Sequence, residues 1–144
     1  MRMSTNTCEF VTGRLLEIRV AAGYRSVADV EDMIAVIMNN AAKLSPAEKY
    51  AIVADWRNVH VMAPDIAAAA RRMLAAVNPR VTRSAILTAP ANPTTNLQTV
   101  RLIREAENPN RRHFTSTREL HAWLAEVLTS EEAARLETFL ASSS

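Results

Sequence analysis

Glycine is almost missing from this chain. Gly13 and Gly23 are the only two in 144 residues, so neither a P-loop nor a G-x-G-x-x-G turn can be formed, and nucleotide binding by those routes is excluded. Cysteine is reduced to Cys8, which rules out an intrachain disulfide and fits a reducing compartment. No apolar run approaches the roughly 18 residues a membrane span requires. The opening "MRMSTNTCEF" lacks an apolar signal core, so export by that route is not expected and the cytoplasm is the default location. Lysine is confined to Lys43 and Lys49, and aromatic residues make up only 5% of the chain. The arginines have no aromatics interleaved with them, as a stacking platform for single strands would need, so no nucleic-acid partner is expected.

What is present is alanine, arginine and a nearly balanced charge of +2. The arginine bias has two readings, codon usage in a GC-rich genome or selection for anion recognition. The length suits one domain, with about 68–70% of the unfolded surface buried.

Periodicity sets out the elements. "EFVTGRLLEIRVA" holds two strand-like runs around Gly13, an opening hairpin. "SVADVEDMIAVIMNNAAKL" carries Val27, Val30, Ile34, Ile37 and Ala41 at helical spacing, widened by Met33 and Met38, with Ser26 and Asp29 at cap positions. "YAIVADW" reads as a central strand apolar on both faces, and "APDIAAAARRMLAAV" as a helix opened by Pro64. "RSAILTA" is a second buried strand. "LQTVRLIREAE" follows as a helix with Leu97, Val100, Ile103 and Ala106 inward.

"RRHFTS" is a last short strand. Ser116 with Glu119, and Thr129 with Glu132, open two final helices. The first carries a stripe of Leu120, Trp123, Leu124 and Val127, and the second carries Leu136, Phe139 and Leu140. The order β-β-α-β-α-β-α-β-α-α predicts an α/β fold. It has a mixed, mostly parallel sheet of about five strands, an antiparallel opening hairpin and four to five helices.

The chemistry is thin. Asp55 ends a central strand, but the acids and lysine that phosphoacceptor chemistry needs beside it are missing from "RLLEIRVA" and "RSAILTA", so it is read as capping a turn. His60, His113 and His121 lack zinc-ligand spacing, and no metal or cofactor is expected. Cys8 falls in a segment read as mobile, and no G-x-S-x-G elbow occurs. No catalytic residue is assigned and no enzyme is expected.

"IVADWRNVHVMAPDIAAAA" resembles the signature of STAS domains, the fold of bacterial anti-sigma-factor antagonists. Asp55 ends the strand, and Val59, Val61 and Met62 match the apolar loop positions. "RRHFTSTRELHAWLAEV" resembles the ending of the divergent STAS-like (SpoIIAA-like) group. The likeness spans roughly residues 8 to 128, after a flexible segment 1–7 and before a C-terminal helix and frayed tail over 129–144. It implies a regulatory or scaffold domain acting through a protein partner. In signalling members a Ser or Thr at the helix start is phosphorylated. Here Met62-Ala63-Pro64-Asp65 stands in that place, so the switch has no hydroxyl. Asp65 is either a fixed phosphate-like charge or an ordinary first-turn acid.

The resemblance points to Trp56, Arg57, His60, Met62, Asp65 and Arg71 as partner-binding residues, with Trp56 alternatively in the core. A second reading is a binder of an anion, nucleotide or lipid through Arg83, Arg104, Arg111 and Arg112, joined by Arg101, if these converge. A third is a homodimer joined through the stripe of the last helix.

Overall fold

Gly13 makes the first turn. In the computed structural model, which describes residues 6–142, it has φ +58, in the left-handed region that glycine enters without steric cost. It joins β1 (Asn6–Thr12) to β2 (Leu15–Val20) as an antiparallel hairpin. β3 (Tyr50–Asp55), β4 (Val81–Leu87) and β5 (Arg111–Phe114) follow in parallel, giving the order β1-β2-β3-β4-β5. The helices are α1 (Val27–Ala41), α2 (Pro64–Ala76), α3 (Pro93–Glu105), α4 (Thr117–Ala125) and α5 (Ser130–Ala141). The fold is the mixed, mostly parallel α/β arrangement that the periodicity predicts.

Each step from β2 to β5 moves to the next position in one direction. Crossovers of one hand then place α1, α2 and α3 on the same face of the sheet. The terminal pair, α4 and α5, covers the other. Alternation along the strands feeds two separate cores. Leu16, Ile18, Ile52, Ala54 and Ile86 meet Val30, Met33, Ile37, Ile66, Met73 and Leu74 on the first face. Leu15, Ala51, Val53, Ala85 and Leu87 meet Leu120, Leu124, Leu136, Phe139 and Leu140 on the second. Burying each large aliphatic side chain contributes about 1.5–3 kcal/mol.

The caps follow the residue types. Ser26 and Ser116 accept hydrogen bonds from the backbone N–H groups of Asp29 and Glu119. Thr129 and Glu132 form a complete reciprocal capping box. Pro64 and Pro93 sit in the first turns of α2 and α3, where a missing N–H costs nothing.

Several expectations need correcting. Cys8 is not in a mobile segment but in β1, half-buried, and burial pushes its thiol pKa up to about 12. β1 begins at Asn6, within the stretch read as flexible, while residues 1–5 lie outside the described part. α3 buries Thr95, Thr99 and Leu102, with Ala106 buried just past its end, and turns Leu97 and Val100 outward. On α4 Leu120 and Leu124 are buried and Trp123 is half-buried, while Val127, past the helix end, is exposed. Met38 on α1 is also exposed. The α5 stripe is buried on the chain's own sheet, so it is not free to join two copies. Ser142 is held in place rather than frayed, and Ser143 and Ser144 lie outside the described residues.

Candidate functional site

Asp55 lies at the carboxyl end of β3 and is only 4% exposed. Its Oδ1 accepts from the backbone N–H of Arg57 at 3.0 Å, closing a turn at the strand end. Both oxygens are then engaged by guanidinium groups. Arg57 donates from Nε to Oδ1 at 2.9 Å and from Nη2 to Oδ2 at 3.0 Å. Arg19, on the neighbouring strand, donates from Nη1 to Oδ2 at 2.5 Å.

The two arginines reach onward to the end of α5. Arg19 donates to the carbonyl of Phe139 at 2.9 Å and to Ser142 Oγ at 2.8 Å, and its guanidinium lies 4.2 Å from the Phe139 ring centroid. Arg57 donates to the carbonyl of Ser142 at 2.9 Å. Cations at the carboxyl end of a helix meet its open carbonyls and the negative end of its dipole. The acid at the strand end therefore anchors a clasp on the last helix.

The rest of α5 is pinned in the same way. Arg135 makes a bidentate pair with the buried Glu17 on β2, both bonds at 2.7 Å. Glu132 Oε2 accepts from the backbone N–H of Arg14 in the opening turn at 2.7 Å.

A second polar cluster fixes the start of α3. Thr88, just past β4, bonds Asn96 Oδ1 through its hydroxyl, and the same hydroxyl lies 2.5 Å from His113 Nε2. A hydroxyl beside an imidazole has the look of an activated nucleophile, but Thr88 is only 1% exposed and no substrate atom can reach it. Desolvation holds the His113 imidazole below its ordinary pKa.

A broad groove lies open between α2 and α3. It encloses about 680 Å³. Ala67 and Ala68 form one wall, Leu97 and Val100 the other, and Leu102 the floor, with Val61 and Met62 at one end. Leu97 is 73% exposed and Val61 54%. Gln98 locks that end: its side-chain amide donates to the carbonyl of Met62 and accepts from its N–H, both at 2.9 Å. The loop after β3 is thus fixed in place before anything binds.

Charge surrounds this apolar strip. Arg71, Arg101, Arg104 and Glu105 border the groove. The three arginines are exposed, and their side chains have no hydrogen bond or ion pair among the described residues. Several arginines elsewhere are engaged, Arg19, Arg57 and Arg135 with acids and Arg80 with the carbonyls of Ala41, Ser45 and Glu48. The side chains of Arg72 and Arg118 are, like those at the groove, without a bond among the described residues.

The residues singled out from sequence are dispersed by the fold. Trp56 is 1% exposed and packs edge-on against Tyr24 in the core. Arg57 belongs to the clasp. Met62 is buried but lines the groove, and Arg71 borders it. His60 and Asp65 are exposed, and Asp65 Oδ1 accepts from the neighbouring N–H of Ile66.

The arginines of the anion reading fall into separate places rather than one cluster. Arg83 pairs with Glu126, and both Arg83 and Arg112 stack on Trp123 on the α4 side. Arg111 is buried, donates to Ser84 Oγ at 3.3 Å, and has its pKa lowered to about 10 by desolvation. Arg104 stands with Arg101 on α3. Sequence reasoning missed Gln98, Leu97 and Val100 at the groove, and Glu17, Arg19 and Arg135 at the clasp. The spacing of Thr95, Thr99, Leu102 and Ala106 was the available signal for the true inner face of α3.

No group of His, Cys, Asp and Glu side chains suited to holding a metal ion occurs among the described residues. No described helix is long and apolar enough to cross a membrane. Comparisons with family models, with curated proteins and with solved structures return no match to this chain.

Proposed function

We propose that this chain is a non-catalytic regulatory or scaffold domain that works by binding another protein in the groove between α2 and α3. The observation that carries the reading is the outward apolar row of Val61, Leu97 and Val100, bordered by arginines that the fold leaves unengaged. Contiguous exposed apolar surface rimmed by polar residues marks interaction sites on soluble proteins. Arginine is enriched at such interfaces.

The topology supports the same reading. Open α/β sheets hold ligands where the strand order reverses and a crevice opens at the carboxyl ends of the strands. Here the order steps one way from β2 to β5. At the ends of β2 and β3, Arg19, Asp55 and Arg57 close on the last turn of α5. The resemblance to STAS-like domains agrees with a partner-binding role near α2, and without a hydroxyl at residues 62–65 that role is constitutive rather than phosphorylation-switched.

The test is capture of partners from source cells by the wild-type chain and by Leu97→Asp, with cross-links mapped by mass spectrometry. Leu97 is solvent-facing, so the variant retains its fold. Reproducible partners cross-linked to α2 and α3 and lost with Leu97→Asp are expected. An identical set of captured proteins from both chains would refute the reading.

A further inference from the structure

Shape and charge at the groove say more than that a protein binds there. We propose that its occupant is an acidic amphipathic helix of the partner, laid along the channel between α2 and α3 with its apolar face on Leu97, Val100 and the two alanines. This rests on the partner-binding reading above and adds the chemistry of the partner.

The walls argue for a helix. α2 and α3 are each 13 residues, or roughly 20 Å long at about 1.5 Å per residue. The channel between them matches a helix of three to four turns. Ala67 and Ala68 present short side chains, which let a third helix approach within the usual 8–10 Å interaxial distance. An apolar helix face read at i, i+3, i+4 and i+7 is the common way to fill such a channel. An extended strand would instead need a free sheet edge, and both walls here are helices.

The border argues for acid. Arg71 stands on the α2 side and Arg101 and Arg104 on the α3 side, against the one acid, Glu105, that lines the groove. The side chains of these arginines have no partner among the described residues, so carboxylates flanking the apolar face of an incoming helix meet cations on both sides. Pairs at such a rim govern approach and selection of partners more than total affinity.

A lipid fits less well. Small-molecule sites enclose about 70–90% of a drug-sized ligand's surface, whereas this groove lies open to solvent between two helices. A flat bilayer does not fill a concave strip.

The experiment selects a display library of random amphipathic helices on the full-length protein, in parallel with Leu97→Asp and with Arg101→Glu/Arg104→Glu. Both variants change only solvent-facing residues, and circular dichroism checks their folds. Vesicles of phosphatidylcholine with phosphatidylglycerol form a separate arm. The expected result is enrichment of helices with an apolar face and net negative charge. These should lose binding to Leu97→Asp and bind the double arginine variant at least about tenfold more weakly, a change of about 1.4 kcal/mol.

Enriched helices that need Leu97 but are neutral or basic, or ignore the arginines, would overturn this inference and leave the groove as a protein site. No Leu97-dependent helix at all would overturn both readings. Vesicle binding that disappears with the same substitutions would assign the groove to lipid.

Discussion

The two faces of the sheet are closed by different physics. On the α4–α5 face every turn of the last helix is tied down by charge: Glu132 at its start, Arg135 in its middle, and Arg19 with Arg57 at its end. On the opposite face α1, α2 and α3 lie over an apolar core, and the outer channel between α2 and α3 is left uncovered. Buried ion pairs add little net stability compared with well-packed apolar groups, yet breaking one is costly because it strands a charge. The first face is therefore specified by charge, with a smaller hollow of about 270 Å³ left between α4 and α5. The second is stable underneath and available on top.

One substitution made on both faces sharpens the contrast most. Leu136→Ala on α5 removes a side chain with no exposure and should cost about 3 kcal/mol. Leu97→Ala on α3 should stay within about 0.5 kcal/mol. Urea denaturation measures both, and similar losses would erase the distinction.

Asp55→Asn comes next. It leaves Arg19 and Arg57 without their anion and loosens the end of α5, and a loss of about 2 kcal/mol is expected, below the usual value for buried pairs because both arginines keep some water. Hydrogen exchange should show the last turn of α5 opening first. If that turn stays as protected as in the wild type, the clasp is ornamental.

Gly13→Ala strains a left-handed residue, and its Cβ would lie 2.2 Å from Glu132 Oε2. About 1–2 kcal/mol should be lost, and combination with Glu132→Ala should recover part of it. Strict additivity in that double-mutant cycle would show that the turn and the helix do not communicate.

The smallest effect is one of pH. Desolvation lowers the His113 pKa in the folded chain, so the unfolded chain takes up the proton first. Stability should be flat above the ordinary value near 6.5 and should fall as pH drops below it, until the folded form protonates as well. His113→Gln should flatten that part of the profile. A wild-type curve unchanged between pH 7 and 5 would count against the assigned environment.

Much of the architecture was legible because period and punctuation agree. Strands at "YAIVAD" and "SAIL" are apolar on both faces, and Ser26, Pro64, Ser116 and Thr129 mark helix starts that the fold uses. The inner face of α3 was misread for a definite reason. Leu97 and Val100 outrank threonine in hydrophobicity, so they drew the stripe toward themselves. Thr99 instead satisfies its hydroxyl on the carbonyl of Thr95 at 2.9 Å and can be buried. Thr88, Asn96 and His113 then fix the helix in that rotation. The ties on α5 were invisible because Arg19 and Ser142 stand 123 positions apart and Glu17 and Arg135 118 apart, and no local pattern reports such pairings.

The bond between the opening turn and Glu132 also spans 118 positions. While the chain is being made, Leu15, Val53 and Leu87 lack the helices that bury them until α4, and after it α5, have been synthesised. This side of the sheet thus stays greasy and partly uncovered until α5 joins α4 on it. A nascent chain stalled before Ser130 should be a client for chaperones, and release of the remaining residues should end that dependence.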